Sequence, residues 1–178
     1  MPLAFIALGS NLPSPAGPPD VTLVAAVARL AELGRITACS SLYSTVPAGL
    51  EDQPRFLNAA VALETSLSPL ELLGALLTIE RAFGRDRIAA LPNGPRPLDL
   101  DIVLYADFVL SQAALDIPHP RFAQRAFVLV PLNEIAPGLR DPRSGQTVAQ
   151  LLDNLQHDTN SGDVVAIESA SWTSKIFS

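Results

Sequence analysis

The chain has 178 residues, of which 48% are hydrophobic and 17% charged, a composition typical of a folded domain and not of a disordered chain. The formal net charge of −6 argues against general binding to nucleic acid, and no apolar run reaches the roughly 18 residues of a membrane span. Cys39 is the only cysteine, which excludes a disulfide framework and a cysteine-based zinc site. Because the N-terminus also lacks the basic residues of a signal peptide, we expect a cytoplasmic enzyme.

The first third of the chain alternates strand-like and helix-like segments. Residues 3–8 predict a buried strand, which a proline-rich loop follows. Residues 21–33 carry the apolar stripe of a helix, with Asp20 as the candidate N-cap and Gly34 as its end. Two further strand-like segments cover residues 36–43 and 56–63.

The remainder opens with a well-marked helix. Ser68 is the predicted N-cap, Pro69 occupies the first helical position and Glu71 completes a capping box, while Gly84 marks the end of the helix. A loop is predicted over 85–97, which has no apolar period. The segments after it are predicted as a hairpin (98–105 with 108–110, turning at 106–107), a strand over 126–130, and a short helix to about residue 155, opened by a second capping box at 147–150.

The order β-α-β-β-α-β predicts an α+β protein of the ferredoxin-like plan, with an antiparallel sheet covered by helices in three layers. We expect one domain over residues 1–157. Residues 158–178 form a polar tail in which 164–167 could add an edge strand, and Trp172 and Phe177 could anchor it or hang free. We expect truncation after Asn160 to leave activity largely intact.

Two carboxylates stand out in an apolar, β-prone run. Asp99 and Asp101 are two residues apart, so on a strand their side chains share one face. Burying two adjacent charges without partners is costly, which indicates a metal or cationic partners. Hard oxygen ligands beside Arg96 suit a Mg²⁺–polyphosphate site. The alternative is an edge strand that shows two acids to water.

Arginine dominates the basic residues and is concentrated near this pair. Six of the twelve Lys and Arg residues lie in about a quarter of the chain: Arg81, Arg85, Arg87, Arg96, Arg121 and Arg125. The guanidinium fork suits bidentate contact with phosphate, so we favour anion binding over a set of solvated surface arginines.

The loop 85–97 carries two of these arginines. Arg85 and Arg87 have few acidic partners nearby in the sequence, so a bound anion is expected to draw the loop inward, where it would exclude water. The alternative is an ordinary crossover loop.

Two polar residues lie in settings that suggest binding. His119 stands between two prolines and could hydrogen-bond a phosphate, although one histidine is more often structural. Asn58 interrupts an otherwise apolar strand and could hydrogen-bond the edge of a planar heterocycle. Its alternative is a bond to the local backbone.

Four segments together resemble the signatures of the 6-hydroxymethyl-7,8-dihydropterin pyrophosphokinase family. They read ALGSNL at 7–12, DQPRFLNAAV at 52–61, GPRPLDLDI at 94–102 and PHPR at 118–121, and the resemblance extends from about residue 3 to about 157. It implies a ferredoxin-like enzyme that transfers the pyrophosphoryl group of ATP to the pterin hydroxymethyl oxygen in folate synthesis, with two Mg²⁺ ions.

The resemblance also implies roles for individual residues. Asp99 and Asp101 would hold both metal ions and, with Arg85 and Arg87, would form the catalytic set. ATP would be bound by Glu80, Arg96, Ile102, His119 and Arg125. The pterin would be bound by Thr45, Val46, Pro47, Ala48, Phe56, Asn58 and Phe127. The expected partners are these two small molecules, without nucleic acid or membrane, and the expected state is a monomer.

The sequence departs from the family pattern in the loop. Family members often have Arg-Trp before the Gly-Pro-Arg of this segment, whereas Pro92 and Asn93 stand here. The Trp that covers the pterin in this pattern and one loop arginine are therefore missing, and Leu91 is expected to serve as a weaker apolar lid. This departure leaves an alternative function, a catalytically weak or inactive pterin- or nucleotide-binding module of the same fold.

Overall fold

A computed structural model describes residues 1–49, 52–158 and 163–172. The elements in chain order are β1 (Leu3–Ser10), α1 (Pro19–Ala31), β2 (Arg35–Cys39), β3 (Leu42–Thr45), β4 (Phe56–Glu64), α2 (Pro69–Ala82), β5 (Asp99–Tyr105), β6 (Leu110–Ser111), β7 (Asp116–Ile117), a 3₁₀ turn (Phe122–Gln124), α3 (Ala126–Ile135), α4 (Val148–Asp158) and β8 (Val164–Ile167). None of the described helices is long and apolar enough to cross a membrane.

The main sheet is antiparallel, with the strand order β5-β1-β4-β3-β8, and β2 also pairs with β4. The predicted single strand over 36–43 is divided into β2 and β3, which pair with different parts of β4. The division falls at Ser40, whose side-chain oxygen accepts a hydrogen bond from Ala60 N at 2.9 Å. A side chain thus takes the place of the backbone carbonyl at this position.

Helices cover both faces of the sheet. On one face α1 and α2 contribute Leu23, Leu30, Leu72 and Leu76 to the larger apolar core. On the other face α3 and α4 contribute Leu129, Leu132, Val148 and Leu151 to a second core. This arrangement confirms the predicted three-layer α+β fold.

The predicted strand over 126–130 is wrong, because these residues begin helix α3. A short apolar run of this kind fits a buried strand and a buried helix equally well by periodicity. The helical first turn is visible in the Arg125 carbonyl, which accepts hydrogen bonds from Val128 N at 3.0 Å and Leu129 N at 2.9 Å.

The predicted hairpin of 98–105 with 108–110 is also wrong. The chain turns at Ala106, which has a φ of 46°, but β6 then pairs with β7 instead of returning along β5. The neighbour of β5 in the sheet is β1.

Two of the three predicted helix starts are confirmed. At α2 the Ser68 N–H donates to Glu71 Oε2 at 2.8 Å and Ser68 Oγ accepts from Glu71 N, which forms the capping box. At α4 Thr147 and Gln150 form the corresponding pair of bonds. The N-cap of α1 is Pro18, so Asp20 lies in the first turn and not at the cap, and the helix ends at Ala31, before Gly34.

Residues 163–172, which follow α4 in the chain, are part of the fold. β8 pairs with β3 as the expected edge strand, and Trp172 is only 2% exposed within the larger core. Trp172 therefore anchors this segment, which is one of the two alternatives that the sequence left open, and its burial argues against the expectation that truncation after Asn160 is harmless. Phe177 lies outside the described residues, and the domain boundary at 157 stays a prediction.

Candidate active site

The acidic pair and the candidate pterin residues meet where β1, β4 and β5 lie side by side. Gly9 of β1 is opposite Asn58 on one side and Asp99 on the other. A Cβ atom at Gly9 would lie 3.0 Å from Asn58 Oδ1, so the position favours glycine because of this close approach. The cavity next to it is lined by Gly9, Thr45, Val46, Ala48, Phe56, Asn58, Asn93, Arg96, Asp99, Asp101, Arg125 and Phe127, among others.

Most of the residues predicted to bind the pterin line this cavity. Pro47 is the exception, because it is buried beside Val46 and Ala48 without reaching the lining. Asn58 is buried, and its Nδ2 donates to Thr45 Oγ1 at 2.6 Å. Since that contact uses a donor of the amide, its Oδ1 acceptor faces Gly9 at the cavity.

Two arginines stack on the aromatic residues of the cavity. The Arg96 guanidinium carbon lies 5.1 Å from the Phe56 ring centre, and that of Arg125 lies 5.5 Å from the Phe127 ring centre. Such contacts hold the cationic groups at the border between an apolar wall and the carboxylates.

Asp99 and Asp101 point to the same side of β5, as predicted, because Leu100 and Ile102 pack into the core on the other side. Asp99 forms an ion pair with Arg85, and its Oδ2 lies 3.0 Å from Arg96 Nη2. Burial would raise the pKa of Asp99, but Arg96 and Arg85 outweigh it and hold the pKa below its usual value.

Asp101 lies in different surroundings. Within the described residues it has no ion pair, and burial together with the charges of Asp99 and Glu80 raises its pKa to about 7. The positive charges of Arg125 and Arg85 act on Asp101 in the opposite direction but do not outweigh these effects, so Asp101 is the less well compensated carboxylate of the pair. β5 is at the edge of the main sheet, but the Asp99 side chain is only 16% exposed and Asp101 is partly buried, so the pair is not simply shown to water.

The acidic pair fits Mg²⁺ in one particular way. No group of three or more His, Cys, Asp or Glu side chains that could hold an ion occurs in the part of the chain that the structure describes. Mg²⁺ in phosphate-transfer sites takes one or two carboxylates, and water and phosphate oxygens complete its shell. Two hard oxygen donors, one without a cationic partner, match that pattern.

A second cavity shares Asp101 with the first. It lies between α2, β5 and the segment from β6 to Pro120, and it is lined by Leu73, Leu77, Arg87, Leu100, Ile102, Gln112, Ala114 and His119, among others. Ile102 and His119, both predicted to bind ATP, therefore lie here. Asp101 stands at the junction of the two cavities.

His119 is held by its backbone and its ring. Its N–H donates to the Val103 carbonyl at 2.9 Å, and its Nδ1 accepts from Arg121 N at 3.2 Å. Burial and the neighbouring Arg125 lower its pKa, so the ring is neutral at pH 7 and its Nε2 is the remaining polar atom of the ring.

Glu80 organises the arginines of the loop 85–97. This carboxylate is 1% exposed and lies 2.9 Å from Arg85 Nη1 and 2.7 Å from Arg87 Nη2, while Leu100 N donates to it at 2.8 Å. The expectation that Arg85 and Arg87 lack acidic partners is therefore wrong. Glu80 is near the end of α2, five residues before Arg85 and seven before Arg87, so the partner was close in the sequence.

Asn93 is a cavity residue that the sequence did not predict. It has a φ of 56°, and its carbonyl accepts a hydrogen bond from Gln53 Nε2 at 2.8 Å. Gln53 Oε1 in turn accepts from Asn11 Nδ2 at 2.9 Å. Asn followed by Gly94 is a common signal for a left-handed turn and could have drawn attention to it.

Comparison with known proteins identifies the family. Residues 5–137 match the family model described as 7,8-dihydro-6-hydroxymethylpterin-pyrophosphokinase (HPPK). The chain belongs to the HPPK family.

Relatives in bacteria are similar over most of their length. A 2-amino-4-hydroxy-6-hydroxymethyldihydropteridine pyrophosphokinase of Synechocystis sp. is 47% identical over 154 residues, which covers 85% of this chain and 75% of the relative. One of Pseudomonas aeruginosa is 47% identical over 148 residues and covers 83% of this chain and 88% of the relative.

A solved structure supports the HPPK fold. The crystal structure of wild-type Plasmodium falciparum HPPK-DHPS has a TM-score of 0.67 and 17% sequence identity, and the match covers 86% of this chain and 44% of the other. The chain thus spans less than half the length of that protein, and the likeness concerns the fold.

Proposed function

We propose that this chain transfers the pyrophosphoryl group of ATP to 6-hydroxymethyl-7,8-dihydropterin in folate biosynthesis, as an ATP-dependent diphosphotransferase. The family match and the names of the bacterial relatives support this activity. The observation that carries it is the position of Asp101, beside Asp99, where the two cavities meet.

The reaction takes place between a pterin in the first cavity and ATP in the second. The hydroxymethyl oxygen of the pterin attacks the β-phosphorus of ATP, the bond from that phosphorus to the α–β bridging oxygen breaks, and AMP leaves. The hydroxyl proton passes to solvent. No protein nucleophile is required, so the enzyme acts by positioning the reactants and neutralising charge.

Asp99 and Asp101 would hold two Mg²⁺ ions. When bound, these ions would neutralise the triphosphate and align it with the pterin hydroxyl. The role of the two side chains is to present oxygen atoms from one rigid strand. The ion pairs of Asp99 with Arg85 and Arg96 keep that carboxylate ionised and ready for a cation.

The arginines would stabilise the charge of the phosphates. Arg96 and Arg125 lie at the pterin cavity, and Arg87 lies at the other, so together they surround the junction at Asp101. Arg85 and Arg87 would exchange contacts with Glu80 for contacts with the triphosphate. Glu80 would act at the nucleotide side by holding these arginines in place until ATP binds.

The pterin would lie between Phe56 and Phe127, with Asn58 against its polar edge. The Thr45–Asn58 hydrogen bond fixes the amide orientation before the substrate arrives. Val46, Pro47 and Ala48 form the adjoining loop. Ile102 and His119 would contact the nucleotide in the second cavity.

A direct test separates the enzyme from the alternative of a binding module, which the family match does not favour. AMP formation is measured with ATP, Mg²⁺ and 6-hydroxymethyl-7,8-dihydropterin, and with each one omitted. We expect AMP only when all three are present. Pterin and nucleotide binding without AMP formation would instead establish the binding module. A cytoplasmic, monomeric state remains part of the proposal.

A further inference from the structure

The segment 163–172 lies beyond the residues that match the HPPK family, yet it is bound to the wall of the pterin cavity. Its strand β8 pairs with all four residues of β3, from Leu42↔Ile167 to Thr45↔Val164. β3 also carries Thr45 into the cavity and leads directly to Val46 and Ala48.

The pairing with β8 is a large part of what holds β3 in the sheet. On its other side it pairs with β4 at only three positions, Tyr43↔Asn58, Ser44↔Leu57 and Thr45↔Phe56. β8 therefore supplies about as much of the ladder as β4 does. Without β8, β3 would be a four-residue edge strand that ends at the substrate, and such edges are weakly held.

Arg55 joins the start of β8 to the same strand. Its Nε donates to Ser44 Oγ at 2.9 Å, and its Nη2 donates to the carbonyls of Ser44 and Asp163, both at 3.1 Å. Arg55 precedes Phe56, which lines the cavity. The Arg55 side chain thus bonds β3 to the residue before β8, and its backbone leads directly into β4.

Trp172 holds the far end of the segment. Its ring is 2% exposed, and its Nε1 donates to the Ser40 carbonyl at 2.9 Å. Ser40 lies at the division between β2 and β3. Ser169 Oγ adds a hydrogen bond to Asp20 Oδ2 in the first turn of α1, at 3.0 Å. β3 is consequently fixed at both of its ends by contacts that involve this segment.

We propose that residues 163–172 position the pterin-binding wall formed by Thr45, Val46 and Ala48, with Arg55 and Trp172 as positioning residues. The segment does not reach the cavity itself. It acts by keeping β3 in register, so that the Thr45 hydroxyl stays in place to accept from Asn58. This inference rests on the proposed function, since it assigns the wall to pterin binding.

The first test compares Arg55→Met with Arg35→Met. Arg35 is also an arginine on this sheet, but it pairs with Glu64 at the opposite end of β4. We expect Arg55→Met to raise KM for the pterin by on the order of tenfold while KM for ATP changes by less than about twofold. Arg35→Met should leave both constants unchanged. Equal increases of the two KM values in Arg55→Met would overturn the inference.

The second test separates positioning from stability. Trp172→Phe keeps an aromatic ring and removes the N–H donor to Ser40, whereas Leu72→Ala truncates a fully buried residue in the first half of α2. We expect Trp172→Phe to raise KM for the pterin selectively. Leu72→Ala should lower Tm at least as much without a selective effect. If both variants behave alike, Trp172 only stabilises the fold.

Amide hydrogen exchange supplies a readout that does not require turnover. In Arg55→Met and Trp172→Phe we expect faster exchange over residues 43–48 than in the unmodified chain, with unchanged exchange in β1. Should the unmodified chain form no AMP and bind no pterin, the proposed function fails, whereas the exchange data still decide whether the segment holds β3. Unchanged exchange over 43–48 would refute that role.

Discussion

Asp99 and Asp101 share one face of β5 but have opposite electrostatic surroundings. Asp99 is neutralised by Arg85 and Arg96, while Asp101 faces the charges of Asp99 and Glu80 and lacks an ion-pair partner within the described residues. A carboxylate kept in such a place opposes folding, which supports the proposal that this site binds a cation.

The two carboxylates should respond differently to neutralisation. Asp101→Asn removes a like charge, so we expect it to abolish Mg²⁺-dependent AMP formation and to raise Tm by about 2 °C or more, since 1 kcal/mol moves Tm by about 2–4 °C at this size. Asp99→Asn should also abolish activity but lower Tm, because Arg85 and Arg96 lose a partner.

Calorimetric scanning and the AMP assay check both results. Asp107→Asn is the matched control, because Asp107 lies in the turn that follows β5. Full activity in purified Asp101→Asn would contradict the two-carboxylate site.

Asn58 is the residue with the sharpest expected selectivity for the pterin. Asn58→Ala leaves Thr45 Oγ1 without its donor and removes the acceptor at Gly9. We expect pterin binding to weaken by about 1–3 kcal/mol, the cost of an unpaired buried group, with ATP binding nearly unchanged. Titration calorimetry with each ligand measures this, and Asn154→Ala on the exposed side of α4 is the control. Equal losses for both ligands would disprove the assigned cavity.

At the scale of elements, the loop 85–97 joins α2 to β5, and side-chain contacts hold it at several points. Glu80 near the end of α2 forms ion pairs with Arg85 and Arg87. Gln53, in the loop between β3 and β4, donates a hydrogen bond to the Asn93 carbonyl. Between these contacts Ile88 is 99% exposed and Leu91 68% exposed. Apolar side chains in that position can cover a ligand once the arginines turn toward it.

Arg87 is half-exposed, whereas Arg85 is 10% exposed and also pairs with Asp99, so we expect Arg87 to leave Glu80 more readily. We expect Arg87→Ala to lower kcat by a factor on the order of 10²–10³, with a much smaller change in KM for ATP, because the contact is strongest in the transition state. Steady-state kinetics measures both constants.

Arg81→Ala is the control for that variant, since the Arg81 side chain donates, among the described residues, only to the Leu77 carbonyl of its own helix. A higher KM with unchanged kcat in Arg87→Ala would make Arg87 an anchor for bound ATP and would reject its role in the transition state.

For the whole molecule, the two cavities meet at one strand, so ligand binding and stability are linked. A non-hydrolysable ATP analogue with Mg²⁺ at 100 times its Kd should stabilise the fold by about 2.7 kcal/mol, which corresponds to roughly 5–11 °C in Tm. EDTA should remove most of this increase, because the triphosphate would then face Asp99 and Asp101 without a cation.

Thermal unfolding with and without EDTA checks this expectation. In Asp101→Asn the analogue with Mg²⁺ should raise Tm only by the small amount expected for the unmodified chain in EDTA. An analogue that stabilises equally in the presence of EDTA would show that the nucleotide site does not depend on the acidic pair.

Local patterns predicted much of this protein. Alternation predicted the face shared by Asp99 and Asp101, and the capping residues predicted the starts of α2 and α4. The element order and the four family segments led to the ferredoxin-like fold and to the HPPK family. The shared face and the two helix starts depend on residues close in the chain, whose geometry is set by backbone periodicity and local hydrogen bonds.

Other features depend on contacts between residues far apart, which no local pattern encodes. The apolar run at 126–130 is helical because it packs across β4 and against α4. Glu80 accepts from Leu100 N only because α2 packs on β5, and Trp172 becomes a core residue only when β8 joins β3. The sequence by itself determined the chemistry available at the site, and tertiary packing decided which charges are paired and what supports the pterin wall, because burial and pairing are properties of the assembled fold.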